Sequence, residues 1–332
     1  MSAPSDGLPG RVSIREVGPR DGFQNEPEVI PTESKVELIE ALARTGLRRL
    51  EVTSFVRADV IPQLADAAEV LARVDVPRAV SVSVLIPNER GLDAALALRE
   101  RARRAAGADA DADADARMEV FDEVNVFLSA SETHNRKNVN RSIAESLEGL
   151  EAVLGRSREV GLRCEGVIST SFGCPYEGHV PPERVLEIAA RLRDAGAQEI
   201  GFGDTTGMAN PRQVREFFAI ARAELGDEVQ LTAHFHNTRG QGLANVLAAL
   251  EAGVDSFESS FGELGGCTVP AGATGNIATE DLVSMLHEMG IETGIDLPAL
   301  LACARRVQEL LGRPLGSHTL VAGPVDWEAG RS

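Results

Sequence analysis

Positive charge is in short supply in this chain. Its 332 residues carry 33 Lys and Arg against 51 Asp and Glu, a formal net charge of −18. Binding a phosphate backbone needs a basic face, so nucleic acid is excluded as the main partner. Long apolar runs are absent too. No segment approaches the ~18 apolar residues that span a bilayer, so no membrane partner is expected. The opening, MSAPSDGLPGR, has neither the charged-then-apolar layout of a secretory leader nor the Arg-rich amphipathic character of a transit peptide. Cysteine is sparse: Cys164, Cys174, Cys267 and Cys303 are irregularly spaced and form neither a disulfide framework nor a CxxC pair. A reducing, cytoplasmic location is the expectation.

What is present is an alternation. Short β-branched runs are followed by longer Ala/Leu/Glu/Arg stretches of helical period. Strands are expected at 11–17, 47–55, 79–87, 122–130, 162–170, 197–204, 229–237 and 254–261. Helices are expected near 32–45, 59–73, 89–105, 141–160, 181–195, 211–225, 240–252 and 278–289, with more near 297–312. Strands alternating with helices give a parallel sheet, and eight such units point to a closed (β/α)8 TIM barrel with additional C-terminal helices. An open doubly wound sheet usually carries a Gly-rich fingerprint after strand one; here that turn reads GPRDGFQNEP. The division expected is a flexible 1–10, a catalytic barrel over 11–290 and a helical extension over 291–332. Within the barrel, 105–118 contains GADADADADA, an acidic insertion that has no apolar face and repels itself. It joins a helix to a strand, which assigns it to the bottom face, away from chemistry.

Barrel enzymes build their sites at the C-terminal ends of strands. Unusual polar residues gather there: Arg20 and Asp21 after strand one, and Glu51 with Thr53 and Ser54 near the end of strand two. Asp204, Thr205 and Thr206 end strand six, His234 and His236 lie on strand seven, and Cys267 and Asn276 follow strand eight. Residues i and i+2 of a strand share a face, so His234 and His236 point the same way. The pair reads either as two hydrogen-bonded core histidines or as metal ligands. With Asp21 and Asn276 the set is mixed N/O, which suits Mg2+ or Mn2+, and Zn2+ is also compatible. The remaining histidines, 134, 179, 287 and 318, read as surface residues. Cys267 sits in a glycine-bounded loop and could serve as acid or base, or as a small apolar residue. Cys164 and Cys303 read as core, and Cys174 lies close to the mouth. Arg20 could stabilise an enolate oxygen, pair with Glu51 or Asp204, or do both. Glu51 and Asp204 read as acid/base groups or as groups that orient Arg20 and the histidines.

Several motifs run in one order: REVGPRDGFQNEP (15–27), EVTSFV (51–56), IPQLAD (61–66), RKNVNRSIAES (136–146), GCPYEG (173–178), GDTTGMANP (203–211), HFHNTRGQGLAN (234–245), and LGGC with GATGNIATEDLVSML (264–286). Together they resemble the 3-hydroxy-3-methylglutaryl-CoA lyase family, within a superfamily of metal-dependent barrel lyases and condensing enzymes. The resemblance implies retro-Claisen cleavage of 3-hydroxy-3-methylglutaryl-CoA to acetyl-CoA and acetoacetate. It assigns the metal to Asp21, His234, His236 and Asn276, the enolate to Arg20, and the acid/base role to Cys267, with Glu51 and Asp204 in support. Thr206 and Asn138 are expected to contact substrate. An acyl-CoA is a polyanion and this chain carries −18, so local positive potential at the mouth is required. Arg136, Lys137 and Asn138 are candidates for it, or else form a solvated helix-entry loop. A homo-oligomer is expected. The chain departs from the family pattern at Arg57–Val60, at Asn237-Thr238-Arg239 and at Thr268-Val269-Pro270. The rival readings are a lyase for a related branched 3-hydroxyacyl-CoA and a condensing enzyme joining an acyl-CoA to a 2-oxo acid.

Overall fold

The computed structural model describes residues 7–106, 119–266 and 274–327. The insertion at 107–118 and Cys267 with its neighbours 268–273 lie outside the described residues. Eight parallel strands close into a barrel in sequence order: β1 (Ser13–Glu16), β2 (Arg49–Ser54), β3 (Ser81–Leu85), β4 (Glu123–Ser129), β5 (Arg163–Ser169), β6 (Glu199–Asp204), β7 (Gln230–Phe235) and β8 (Ser256–Ser259). Outside it lie α1 (Thr32–Ala43), α2 (Ala67–Arg73), α3 (Glu89–Ala106), α4 (Glu132–Val139), α5 (Ile143–Glu159), α6 (Pro182–Ala195), α7 (Pro211–Leu225), α8 (Gly242–Glu251) and α9 (Thr279–Glu288). Two more, α10 (Leu297–Leu311) and α11 (His318–Ala322), follow. This is the (β/α)8 barrel expected from the alternation. Among the described residues no helix is long and apolar enough to cross a membrane.

The differences from the expected elements have local causes. Strand ends are shorter, so His236 falls just past β7, in a single antiparallel bridge to Asn276. The helix expected over 59–73 is a short 3₁₀ turn at Pro62–Leu64 followed by α2. Between β4 and α5 stands α4, where a loop was expected. Ser131 caps it by accepting from the His134 N–H, and it ends at Asn140 in a left-handed conformation, φ 55°. Its low apolar content hides it from a periodicity search. His179 and His318 are exposed as expected, whereas His134 and His287 are half-buried. His134 lies against the Tyr176 ring, and His287 Nε2 bonds the Thr293 hydroxyl at 2.8 Å.

The outer shell is apolar and the interior is not. Valines, leucines and phenylalanines of the strands pack outward against the helices. Inside, Arg15 of β1, 1% exposed, reaches Glu258 and Glu123 at 2.9 Å, Glu199 at 3.4 Å, and Glu165. Arg49 joins the same layer through Glu123 and Glu199. Gly201 leaves room for it, since a Cβ there would stand 2.9 Å from Glu165 Oε1. Burial disfavours the charge on Arg15, but the carboxylates outweigh that and hold it protonated. Replacing Arg15 by Met strands buried carboxylates, which costs about 3–5 kcal/mol in comparable buried pairs. Urea unfolding of Arg15→Met is expected to lose that much. A loss below about 1 kcal/mol would show the layer is not held through Arg15.

Candidate active site

The mouth of the barrel is assembled from four connections. After β1 the chain makes one π-helical turn, Gly18–Gly22, a widened turn frequently seen at functional sites. It lies on the Phe261 ring; a Cβ on Gly18 would fall 2.4 Å from that ring. The turn delivers Arg20 and Asp21 inward. Arg20 donates from Nε to Glu51 at 2.7 Å and from Nη1 to Asp21 Oδ1 at 2.7 Å. Of the two ion pairs read from the sequence, the one with Glu51 forms, and no bond joins Arg20 to Asp204 among the described residues. Burial raises the Glu51 carboxyl against the pull of Arg20.

Asp21 Oδ2 accepts from the Asn276 amide at 2.8 Å, and Oδ1 also accepts from Gln24 at 2.7 Å. Burial would raise the Asp21 carboxyl, but Arg20, His234 and His236 together hold it below its usual range. Across from it, His236 Nε2 lies 3.1 Å from His234 Nε2. His234 Nδ1 meets Glu258 at 2.9 Å. Burial lowers both imidazoles. In His234 the Glu258 carboxylate more than reverses this, while His236, beside His234, falls to about 4. Ligand atoms of Asp21, His234 and His236 all lie within 4.8 Å of one another. Asn276 Oδ1 is buried without a hydrogen-bond partner among the described residues. Two imidazole nitrogens facing each other, an adjacent carboxylate and an orphan amide oxygen are a donor set that fits a divalent cation.

Gly265 explains part of the glycine-rich loop. It has φ +107°, and a Cβ there would come 2.6 Å from Asn276 Nδ2 and 3.5 Å from Asp21 Oδ2. Only glycine allows the chain to pass this close. A second group, Glu263, Asp281 and His318, also gathers possible ligand atoms. Its carboxylate has a structural task, since Asp281 accepts from the Ser317 hydroxyl and the Thr319 and His318 N–H groups at the start of α11.

Asp204 is fully buried at the end of β6, and its Oδ1 accepts from the Met208 and Ala209 N–H groups at 2.8 and 3.0 Å. Its Oδ2 has no partner among the described residues, and burial pushes the carboxyl up to about 7 despite those N–H groups. Thr206 is buried, with its hydroxyl 3.4 Å from the Gly173 carbonyl, so it ties the β5 and β6 loops. Asn138 lies with Arg136 and Lys137 on the exposed part of α4, and no hydrogen bond among the described residues joins it to Asp21, His234, His236 or Asn276. Cys174 is buried and free, as are Cys164 and Cys303. Sequence reasoning passed over Arg15, Glu258 and Asn125. Asn125 donates to Glu51 at 3.1 Å. Their one sequence signal is a charged or amide residue inside an otherwise apolar strand.

The root of the loop is held by two buried acids. Glu16 accepts from the Phe261 and Gly18 N–H groups and the Thr279 hydroxyl; Glu280 accepts from the Gly262 N–H. Burial pushes Glu16 up to about 7 and Glu280 up to about 8. The folded state therefore binds these protons more tightly than the unfolded chain, and stability falls as pH rises between the ordinary carboxylate range and about 8. Urea midpoints are expected to drop from pH 6 to pH 9. Glu280→Gln, whose carbonyl still accepts from Gly262, is expected to drop less; an equal drop would mean Glu280 is already ionised at pH 6.

The fold and this cluster define a (β/α)8 barrel with a candidate metal centre at the C-terminal mouth. The chain belongs to the HMGL-like family, whose model matches residues 11–307. It is 43% identical over 312 residues to the hydroxymethylglutaryl-CoA lyase YngG of Bacillus subtilis, covering 94% of this chain and 97% of that protein. It is 41% identical to the mitochondrial hydroxymethylglutaryl-CoA lyase of Gallus gallus, covering 93% and 97%. The solved HMG-CoA lyase of B. subtilis superposes with a TM-score of 0.86, covering 95% of this chain and 98% of that one. An HMG-CoA lyase of Acinetobacter baumannii, solved with coenzyme A and 3-methylmalate, is 38% identical with a TM-score of 0.83, covering 98% and 97%.

Proposed function

We propose that this chain is a divalent-metal-dependent carbon–carbon lyase that cleaves 3-hydroxy-3-methylglutaryl-CoA to acetyl-CoA and acetoacetate in the cytoplasm. The observation that carries the reading is the gathering of Asp21, His234 and His236 ligand atoms beside the Arg20 guanidinium, with Asn276 bonded to Asp21. Near full-length relatives named for this activity support the substrate.

Asp21, His234, His236 and Asn276 are assigned as the metal's protein ligands, and Mg2+ or Mn2+ suits them. When bound there, such a cation would supply Lewis acidity toward the tertiary hydroxyl and a template for the substrate oxygens. Transfer of the hydroxyl proton to one of the acid/base side chains named below lets the O–H electrons form the ketone of acetoacetate while the C2–C3 bond breaks. That bond pair passes into the thioester as an enolate. Arg20, fixed between Glu51 and Asp21, keeps N–H donors to place against the enolate oxygen. Protonation at the enolate carbon yields acetyl-CoA, and Cys267, two residues after Gly265, is assigned that acid. Asp204, with one free buried oxygen, and Glu51 are assigned supporting acid/base and orienting roles. Arg136, Lys137 and Asn138 on α4 are assigned to the coenzyme's phosphates, and Thr206 supports the pocket wall. One departure from the family pattern bears on the branched-acyl rival. Arg239 donates from Nη1 to the Thr206 and Gly207 carbonyls at 2.9 and 2.7 Å, which ties this departure to the β6 loop.

Purified protein with Mn2+ is expected to release acetoacetate and acetyl-CoA in equal amounts from 3-hydroxy-3-methylglutaryl-CoA, and chelation is expected to stop it. Arg20→Gln is expected to lower kcat by about 10²–10³-fold, the usual effect of losing one oxyanion donor. His236→Ala is expected to lose turnover through lost metal. No turnover by wild type that binds Mn2+ would redirect the reading to another acyl-CoA.

A further inference from the structure

Glu258 is the strand-register partner of two residues at once: Arg15 on β1 and His234 on β7. Its Oε1 accepts from Arg15 Nη1 at 2.9 Å, and its Oε2 faces His234 Nδ1 at 2.9 Å. It is 2% exposed. We propose that Glu258 is a positioning residue for the metal centre: pinned by Arg15, it holds His234 in the tautomer whose Nε2 is free to ligate. The inference rests on the metal assignment made above.

The argument is one of donors and acceptors. An ionised carboxylate only accepts, so the proton of a neutral His234 must sit on Nδ1 and the lone pair on Nε2. Nε2 is the atom that faces His236. Glu258 cannot drift, because its other oxygen is held by a guanidinium that is itself tied to Glu123, Glu165 and Glu199. Both neighbours of Glu258 donate. A glutamine in its place offers one acceptor and one donor, so one of the two contacts becomes donor against donor. The charged Arg15 claims the carbonyl oxygen, and the amide N–H₂ is left facing His234 Nδ1. The imidazole then moves its proton to Nε2 and closes the ligand atom. An isosteric change thus disables a ligand it leaves chemically intact.

The network supplies its own control. Glu165 also bonds Arg15, but it does not touch His234, and its Oε1 has no partner among the described residues. The test is Mn2+ affinity of the full chain, read by electron paramagnetic resonance of the free ion, with circular dichroism checking the fold. Glu258→Gln is expected to weaken Mn2+ binding by about 10–100-fold, the range for losing such an orienting partner. Glu165→Gln is expected to stay within about threefold of wild type. Glu258→Asp keeps both acceptors but is a methylene short of spanning Arg15 and His234, so it is expected to fall between. If Glu258→Gln does not fold, Glu258→Asp against Glu165→Gln reads the same difference. Wild-type affinity in Glu258→Gln, or equal weakening in Glu165→Gln, overturns the inference while leaving the metal site intact. Absence of Mn2+ binding by wild type overturns the metal site and the inference together.

Discussion

One buried guanidinium organises this barrel. Arg15 sits inside the sheet, where most barrels place branched apolar side chains, and four strands other than its own send it a glutamate. Burying charge is costly, and such a layer adds little net stability over an apolar one. What it supplies is position. Each carboxylate that meets Arg15 fixes the register and rotation of its strand, and Glu258 carries that fixation to His234. The candidate metal site at the mouth is therefore anchored to the interior below it.

Charge balance ties the interior to the ligand. Within and just above the sheet, buried Glu51, Glu123, Glu165, Glu199, Glu258 and Asp21 outnumber Arg15, Arg20 and the largely buried Arg49. A divalent cation at the candidate site would offset that excess where it is least screened. The outer surface faces the opposite problem, since a chain of −18 must admit a polyanionic thioester. The cations of α4 lie after β4, on the mouth side, where a local positive field would steer such a substrate. Lys137 stands 4.8 Å over the Tyr176 ring, which holds that charge against the β5 loop.

The barrel was legible because alternation of apolar runs and amphipathic stretches survives in each unit, and the bounds of α7 match Asn210 as cap and Gly226 as stop. The candidate metal cluster was legible for a different reason: His234, His236 and Asp21 are conspicuous residue types at strand ends. Arg15 and Glu258 are just as central, yet neither stands out alone. A single charge inside a strand acquires meaning only when the register sets it beside its partners, and register is a property of the closed sheet. Helix α4 was hidden by its polarity, because the Ser131 cap and Asn140 stop define it more than any apolar stripe. The role of Cys267 rests on its place in the sequence.

Asp21, His234, His236 and Asn276 are proposed to hold the catalytic metal. The most direct measurement is anomalous diffraction from crystals of the full chain soaked in Mn2+. One strong peak is expected between His234 and His236, about 2 Å from each Nε2 and in reach of Asp21 and Asn276 oxygens. A peak confined to Glu263, Asp281 and His318, or no peak at the mouth, would contradict it.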